Sequence, residues 1–154
     1  KMNKITPFLW FDKNMAEIIS YYKAIFPDLK TGYTGSLTDT PSGNVETATM
    51  EIMGQKFSLM TAGPMFKFNE AVSFVIDCDG QEEVDYYWNA ITKEGQESQC
   101  GWCKDKYGLS WQVVPKQLFG FLGNPDKEKS GKAMQAMLKM KKIVIADLDY
   151  KSNY

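Results

Sequence analysis

A chain of 154 residues with 44% apolar and 24% charged positions has the make-up of one globular domain, able to bury roughly 68 to 70% of its unfolded surface. Its formal charge of −1 excludes a general electrostatic pull toward nucleic acid or anionic membrane, and no run reaches the roughly 20 apolar residues that span a bilayer. The absence of histidine removes the usual metal ligand and general base, and three cysteines without a secretory leader predict a reduced, cytoplasmic protein.

Residues 5–11, ITPFLWF, are rich in β-branched and aromatic types, and Pro7 near their start suits a strand that begins at an edge. After a turn at Asp12 to Asn14, residues 15–26 place Ile18, Ile19, Tyr22, Ile25 and Phe26 on one helical face, and Pro27 stops the helix. A strand is predicted over 31–37, a loop over 38–44 from Pro41, Ser42 and Gly43, and a half-buried strand over 45–52. EIMGQKFSLM at 51–60 closes a hairpin around Gly54.

AGPMFKFN at 62–69 links this half to a second one, in which 71–78 repeats the first strand. The match keeps a constant spacing, pairing Leu9 with Phe74, Phe11 with Ile76, Glu17 with Glu82, Ile19 with Val84, and Tyr21 and Tyr22 with Tyr86 and Tyr87. Gly95 is placed to end the second helix as a C-cap glycine. QCGWCKDKYGLSWQVVP at 99–115 reads as two strands about a turn at 104–108, its second arm echoing 51–60 through Gly54 to Gly108 and Phe57 to Trp111. The chain thus reads as a duplicated βαβββ unit of α+β class. One domain, 1–154, comprises a first module at 5–62, a second at 63–115 and a helical C-terminal extension at 116–154. Within the extension, 116–122 and 126–142 predict helices, the second with Ala133, Met134, Met137, Leu138 and Met140 on its apolar face. Lys139, Lys141 and Lys142 read as a solvated face of that helix rather than a polyanion site.

FKFNEAVSF at 66–74, CGWCKDKYGLSWQVVP at 100–115 and AMLKMKKI at 136–143 resemble the PhnB-like branch, often labelled 3-demethylubiquinone 3-methyltransferase-like, of the vicinal oxygen chelate superfamily. That superfamily also takes in glyoxalase and bleomycin-resistance proteins, and the resemblance covers nearly the whole chain. It implies two modules curling a mixed sheet around a cleft, a homodimer, and a divalent metal held from the first and last strands of each module. Carried over by motif, the last-strand positions are Ser58 and Gln112, after the turn glycines Gly54 and Gly108, and the first-strand positions fall near Thr6 and Ala71. These four side chains offer no carboxylate and no imidazole, from which Zn, Fe and Mn sites are built. The expectation is a cleft with no metal and no other cofactor.

Alternate residues of a strand face opposite sides. Leu9, Phe11, Phe57, Leu59, Phe74, Ile76, Trp111 and Val113 should pack under the helices. Phe8, Trp10, Thr47, Thr49, Ser58, Ser73, Val75, Ser110 and Gln112 should face the concave side, with Phe68 and Asn69 of the linker beside them. Aromatics among small hydroxyls suit a small, partly apolar ligand. Alternatively, Phe8 and Trp10, with groups from a partner chain, simply fill the concavity.

Other chemistry is weaker. Cys100 and Cys103 form CGWC, but a thioredoxin-like pair needs its first cysteine at a helix N-terminus, whereas this pair runs into a turn and a strand. Glu51, Glu70 and Asp105 are the acids nearest the cleft and candidates for a general base if buried, although acids in hairpins and loops are usually solvated. Lys67 and Asn69 offer an ammonium and an amide for an anionic or carbonyl group, while Asn69 serves equally as a cap of the turn into the second module. A doubly wound S-adenosylmethionine enzyme needs a glycine-rich turn after its first strand, where this chain has DKNM. The expected function is therefore metal-free binding of a small organic molecule. The alternative is a metal- or carboxylate-dependent enzyme of lyase, isomerase or dioxygenase type, and a dimer with a filled cleft stands third.

Overall fold

The computed structural model describes residues 3–148, so positions 149–154 of the expected extension lie outside the described residues. Two compact units make up the chain, Lys1–Lys67 and Phe68–Tyr154. The division falls after Lys67 because residues 62–66 fold back on the first strand. Gly63 donates its N–H to the Asp12 carbonyl, and the Phe66 ring meets Trp10 edge-on at 4.9 Å.

The first unit runs β1 (Phe8–Phe11), α1 (Met15–Ile25), β2 (Lys30–Thr40), β3 (Gly43–Ile52) and β4 (Gln55–Thr61). Its sheet order is β1-β4-β3-β2, with β1 parallel to β4 and the remaining pairs antiparallel. Asn14 caps α1 by accepting the Glu17 N–H, and Met15, Ile18, Tyr22 and Ile25 recur at helical spacing as the buried stripe. That stripe lies on the sheet face formed by Leu9, Phe11, Phe57 and Leu59, all of them at most 5% exposed. Ile18 and Leu59 are wholly buried, and each contributes about 1.5–3 kcal/mol by leaving water. The loop expected over 38–44 shrinks to a tight turn: pairing continues to Thr40 opposite Gly43, and the Thr40 hydroxyl donates to the Gly43 carbonyl at 2.7 Å.

The second unit repeats the topology with β5 (Ser73–Cys78), α2 (Gln81–Thr92), β6 (Gln96–Glu97), β7 (Trp102–Lys104) and β8 (Ser110–Pro115), ordered β5-β8-β7-β6. The two units are therefore βαβββ repeats, as expected, but the constant spacing read from the sequence is off by one in the helix and by two in the strand. The Ala62 N–H to Phe11 carbonyl bond has its counterpart in Lys116 N–H to Cys78 carbonyl, so Phe11 corresponds to Cys78. The buried helix positions Ile18, Tyr22 and Ile25 correspond to Val84, Trp88 and Ile91. The tyrosine pairs are not equivalent: Tyr21 and Tyr22 are buried, whereas Tyr86 is 44% exposed. Gly95 is not a left-handed C-cap either. A side chain there would collide with the Lys104 and Ile91 carbonyls, so glycine is required by close backbone approach.

The extension forms α3 (Leu118–Leu122), α4 (Lys127–Leu138) and a single 3₁₀ turn, Ile145–Leu148. Helix α4 stops short of the expected 142 because the Met140 and Lys141 carbonyls accept the Cys100 and Gly101 N–H groups at 2.8 Å. Gln81 clamps the following residues, donating to the Ile143 carbonyl at 3.0 Å and accepting the Ile145 N–H at 2.7 Å. Val114, Leu118, Ile143 and Leu148 then close a second small core. Among the described residues, no helix is long and apolar enough to cross a membrane.

Candidate functional site

The face of each sheet opposite its helix carries the candidate residues. In the first unit the strand register lines them up as two cross-strand rows, Phe8–Ser58–Thr49 and Trp10–Met60–Thr47. Phe8 is 60% exposed, and Trp10, Thr47, Thr49, Ser58 and Met60 are half-buried. The Trp10 indole is anchored by donating to the Gly63 carbonyl at 2.8 Å. Thr49 is partly spent on structure: its Oγ1 accepts the Tyr33 N–H at 2.9 Å, next to a shift in the β2–β3 register.

In the second unit the corresponding rows are Ser73–Ser110–Lys104 and Val75–Gln112–Trp102. Gln112 is half-buried and donates from Nε2 to Ser73 Oγ at 3.0 Å. Ser110 is buried, and Val75 is 51% exposed. Lys104 Nζ lies 3.2 Å from Glu70 Oε2, and that contact holds the Glu70 carboxyl below its ordinary range. Val114, next on this face by alternation, is covered by the extension's core. Phe68 is half-buried, and Asn69 is exposed with its Oδ1 accepting the Ala71 N–H at 2.9 Å. Asn69 thus caps the turn into β5, the second of the two roles read for it.

Sequence reasoning missed Met60, Trp102 and Lys104. Strand parity from Ser58 reaches Met60, and parity from Gln112 across the hairpin reaches Trp102. Lys104 had been assigned to a turn, whereas it ends β7.

The three candidate acids are placed without a carboxyl suited to general-base work. Asp105 is buried rather than solvated, because its Oδ1 accepts the Tyr107 and Leu109 N–H groups and its Oδ2 accepts the Trp111 indole at 3.0 Å. Since Trp111 belongs to the helix-covered face, the Asp105 carboxylate turns away from the candidate rows. Glu51 stands 3.9 Å from Lys30 on the surface, and Glu70 is shifted in the direction opposite to what a base needs. Burial pushes the Cys78 and Cys103 thiols up to about 12, which keeps both protonated and argues against either as a nucleophile.

The pairing also tests the inherited chelation positions. Ser58 lies opposite Phe8 as Gln112 lies opposite Val75, so the counterpart of Thr6 is Ser73, not Ala71, which precedes β5. Thr6, Ser58, Ser73 and Gln112 are all neutral, and among the described residues no three His, Cys, Asp or Glu side chains gather as a metal site would require. This donor set does not fit a divalent metal.

Two βαβββ units, each with a parallel outer pair and an antiparallel hairpin, define the glyoxalase-type fold of the vicinal oxygen chelate superfamily. Residues 3–114 match the model of the 3-demethylubiquinone-9 3-methyltransferase family, and the chain belongs to that family. No curated protein matches it. Among solved structures, the PhnB protein from Bacillus cereus is 25% identical, covering 73% of this chain and 99% of its own, with a TM-score of 0.63. Protein PA1353 from Pseudomonas aeruginosa is 18% identical, covering 74% and 98%, with a TM-score of 0.60. The fosfomycin resistance protein FosX from Listeria monocytogenes, as a variant complexed with Mn(II) and 1S,2S-dihydroxypropylphosphonic acid, is 15% identical, covering 74% and 93%, with a TM-score of 0.51. The last two share the fold. The family match ends at residue 114, so the extension that follows β8 lies outside it.

Proposed function

We propose that the protein binds a small, partly apolar organic molecule on the open faces of its sheets, without a metal, and that it works as a cytoplasmic homodimer with no nucleic-acid partner. The observation that carries this reading is Gln112. At the strand position where relatives of this fold class are expected to place a metal ligand, the chain holds a half-buried neutral carboxamide tied to Ser73 and flanked by Val75 and Trp102. Such a group hydrogen-bonds a carbonyl or hydroxyl directly. Trp10 and Phe8 supply comparable apolar surface on the first unit. The FosX complex with a small phosphonic acid is in keeping with ligand binding on this fold. A methyltransferase activity has no support in the architecture, since the mixed four-stranded sheets are not doubly wound and Asp12 to Asn14 after β1 contain no glycine.

Thermal-shift screening of a metabolite library against wild type, Gln112→Leu and Trp10→Ala tests the proposal. Gln112→Leu should cost a bound ligand about 1–3 kcal/mol of affinity by leaving its polar group unpaired, with little change in folding stability. No stabilising compound for wild type, together with destabilised variants, would overturn it. For the dimer, the exposed apolar residues Met65 and Phe66 of one unit and Phe119 and Leu138 of the other are the supporting surfaces. A monomer at micromolar concentration in sedimentation would contradict that part.

A further inference from the structure

Ser110 is 1% exposed, and its Oγ is, among the described residues, the buried side-chain oxygen without a hydrogen-bond partner. A buried polar atom left unpaired costs free energy that a ligand can recover. Its cross-strand neighbours on the same face are Ser73 and Lys104. Ser73 Oγ already accepts from Gln112, so its own proton is left to donate. Lys104 Nζ carries three protons, and its acceptor is the carboxylate of Glu70, a side chain 63% exposed. The row therefore holds a surplus of donors, an ammonium and two hydroxyls, and the group that partly answers them is a surface carboxylate of the chain itself. Immediately beside it, Val75 and Trp102 flank Gln112 with apolar surface.

We infer that this row recognises an acid, and that the ligand is a small organic carboxylate with an apolar ring or alicyclic body. The inference rests on the small-molecule reading above and names its ligand class. The ligand's carboxylate takes Lys104 from Glu70 and accepts from Ser73 and Ser110, the last requiring the side chains that cover its buried Oγ to move aside. The apolar body lies against Val75 and Trp102. Glu70 is then a resident stand-in for the ligand's acid group, displaced at little cost because an exposed ion pair is worth little.

Benzoate is the probe and benzamide, of the same shape without the charge, is its control, with binding followed by calorimetric titration on the full chain. Benzoate should bind and benzamide should bind several-fold more weakly. Glu70→Gln removes the competing carboxylate and should tighten benzoate about two- to fivefold. Lys104→Met should weaken it by about tenfold or more, because hydrogen bonds to charged groups are the stronger kind. Ser110→Ala should weaken benzoate while leaving the melting temperature unchanged or raised, since it deletes an unsatisfied hydroxyl. Equal binding of benzoate and benzamide, or weaker benzoate binding by Glu70→Gln, would overturn the inference. If neutral metabolites bind and benzoate does not, the acid specificity fails and the small-molecule reading stands. If nothing binds, both fail.

Discussion

Asp105 lends itself to a quantitative test, because its structural and catalytic roles predict different behaviour on substitution. Its carboxylate accepts the Tyr107 N–H at 2.8 Å, the Leu109 N–H at 3.1 Å and the Trp111 indole N–H at 3.0 Å, in a site where Asp105 is 3% and Trp111 4% exposed. Asp105→Asn keeps an oxygen for the two amides but sets an NH₂ group against the indole N–H. The unpaired indole donor then costs about 1–3 kcal/mol, and loss of charge on the amide bonds adds about 1 kcal/mol. Asp105→Ala removes both acceptor oxygens and with them all three hydrogen bonds, and should cost about 4 kcal/mol or more, in the tail of single-substitution effects. For a chain of this size each kcal/mol lowers Tm by about 2–4 °C, so the alanine variant should melt at least about 8 °C below wild type. Urea unfolding followed by tryptophan fluorescence gives both values. The reasoning is refuted if either variant lies within about 0.5 kcal/mol of wild type, the range of an ordinary surface substitution.

Three further outcomes follow from the same contacts. Ile143 is fully buried in the core that the extension builds with Val114, Leu118 and Leu148, so Ile143→Ala should destabilise by about 2–5 kcal/mol in urea unfolding, and a negligible change would make the extension an appendage. Native alkylation near pH 8 followed by mass spectrometry should label Cys100, half-buried at the edge of the CGWC turn, well before Cys78 and Cys103, whose thiols burial pushes up to about 12; equal labelling would contradict their placement. Asp85 has its carboxyl lowered by the Gln81 hydrogen bond and then by Lys142, 2.9 Å away. A depressed folded value means stability that is present above the unfolded pKa of about 4 and lost as pH falls through the folded one. Asp85→Asn should therefore flatten the acid limb of stability below about pH 4, and an unchanged limb would exclude that contribution.

The two βαβββ repeats and the faces of their strands were legible because alternation and helical spacing are local properties. Leu9 and Phe11 lie under the helix, Phe8 and Trp10 on the other side, and Ser58 and Gln112 on the open faces. The register of the repeat was not legible. The passage from Cys78 to the cap at Gly80 is one residue shorter than that from Phe11 to Asn14, and the matching tyrosine pairs masked the slip. Asp105 looked like a solvated loop acid because no sequence pattern shows that a turn will fold its carboxylate onto the Trp111 indole. The early end of α4 is likewise a tertiary effect, set by carbonyls that pair with Cys100 and Gly101 instead of continuing the helix.

The central claim, a ligand on the open faces, is most directly tested by the indole N–H signals of the four tryptophans. Trp10 and Trp102 are half-buried on the open faces, whereas Trp88, on the buried side of α2, and Trp111, on the helix-covered face of β8, are buried, with their indoles directed to Glu97 and Asp105. In a ¹⁵N-labelled sample titrated with the strongest compound from the thermal-shift screen, the Trp10 or Trp102 signal should move with saturable dependence while those of Trp88 and Trp111 stay in place. Movement confined to Trp88 and Trp111, or no movement at a saturating concentration of a stabilising compound, would place the ligand elsewhere and contradict the account.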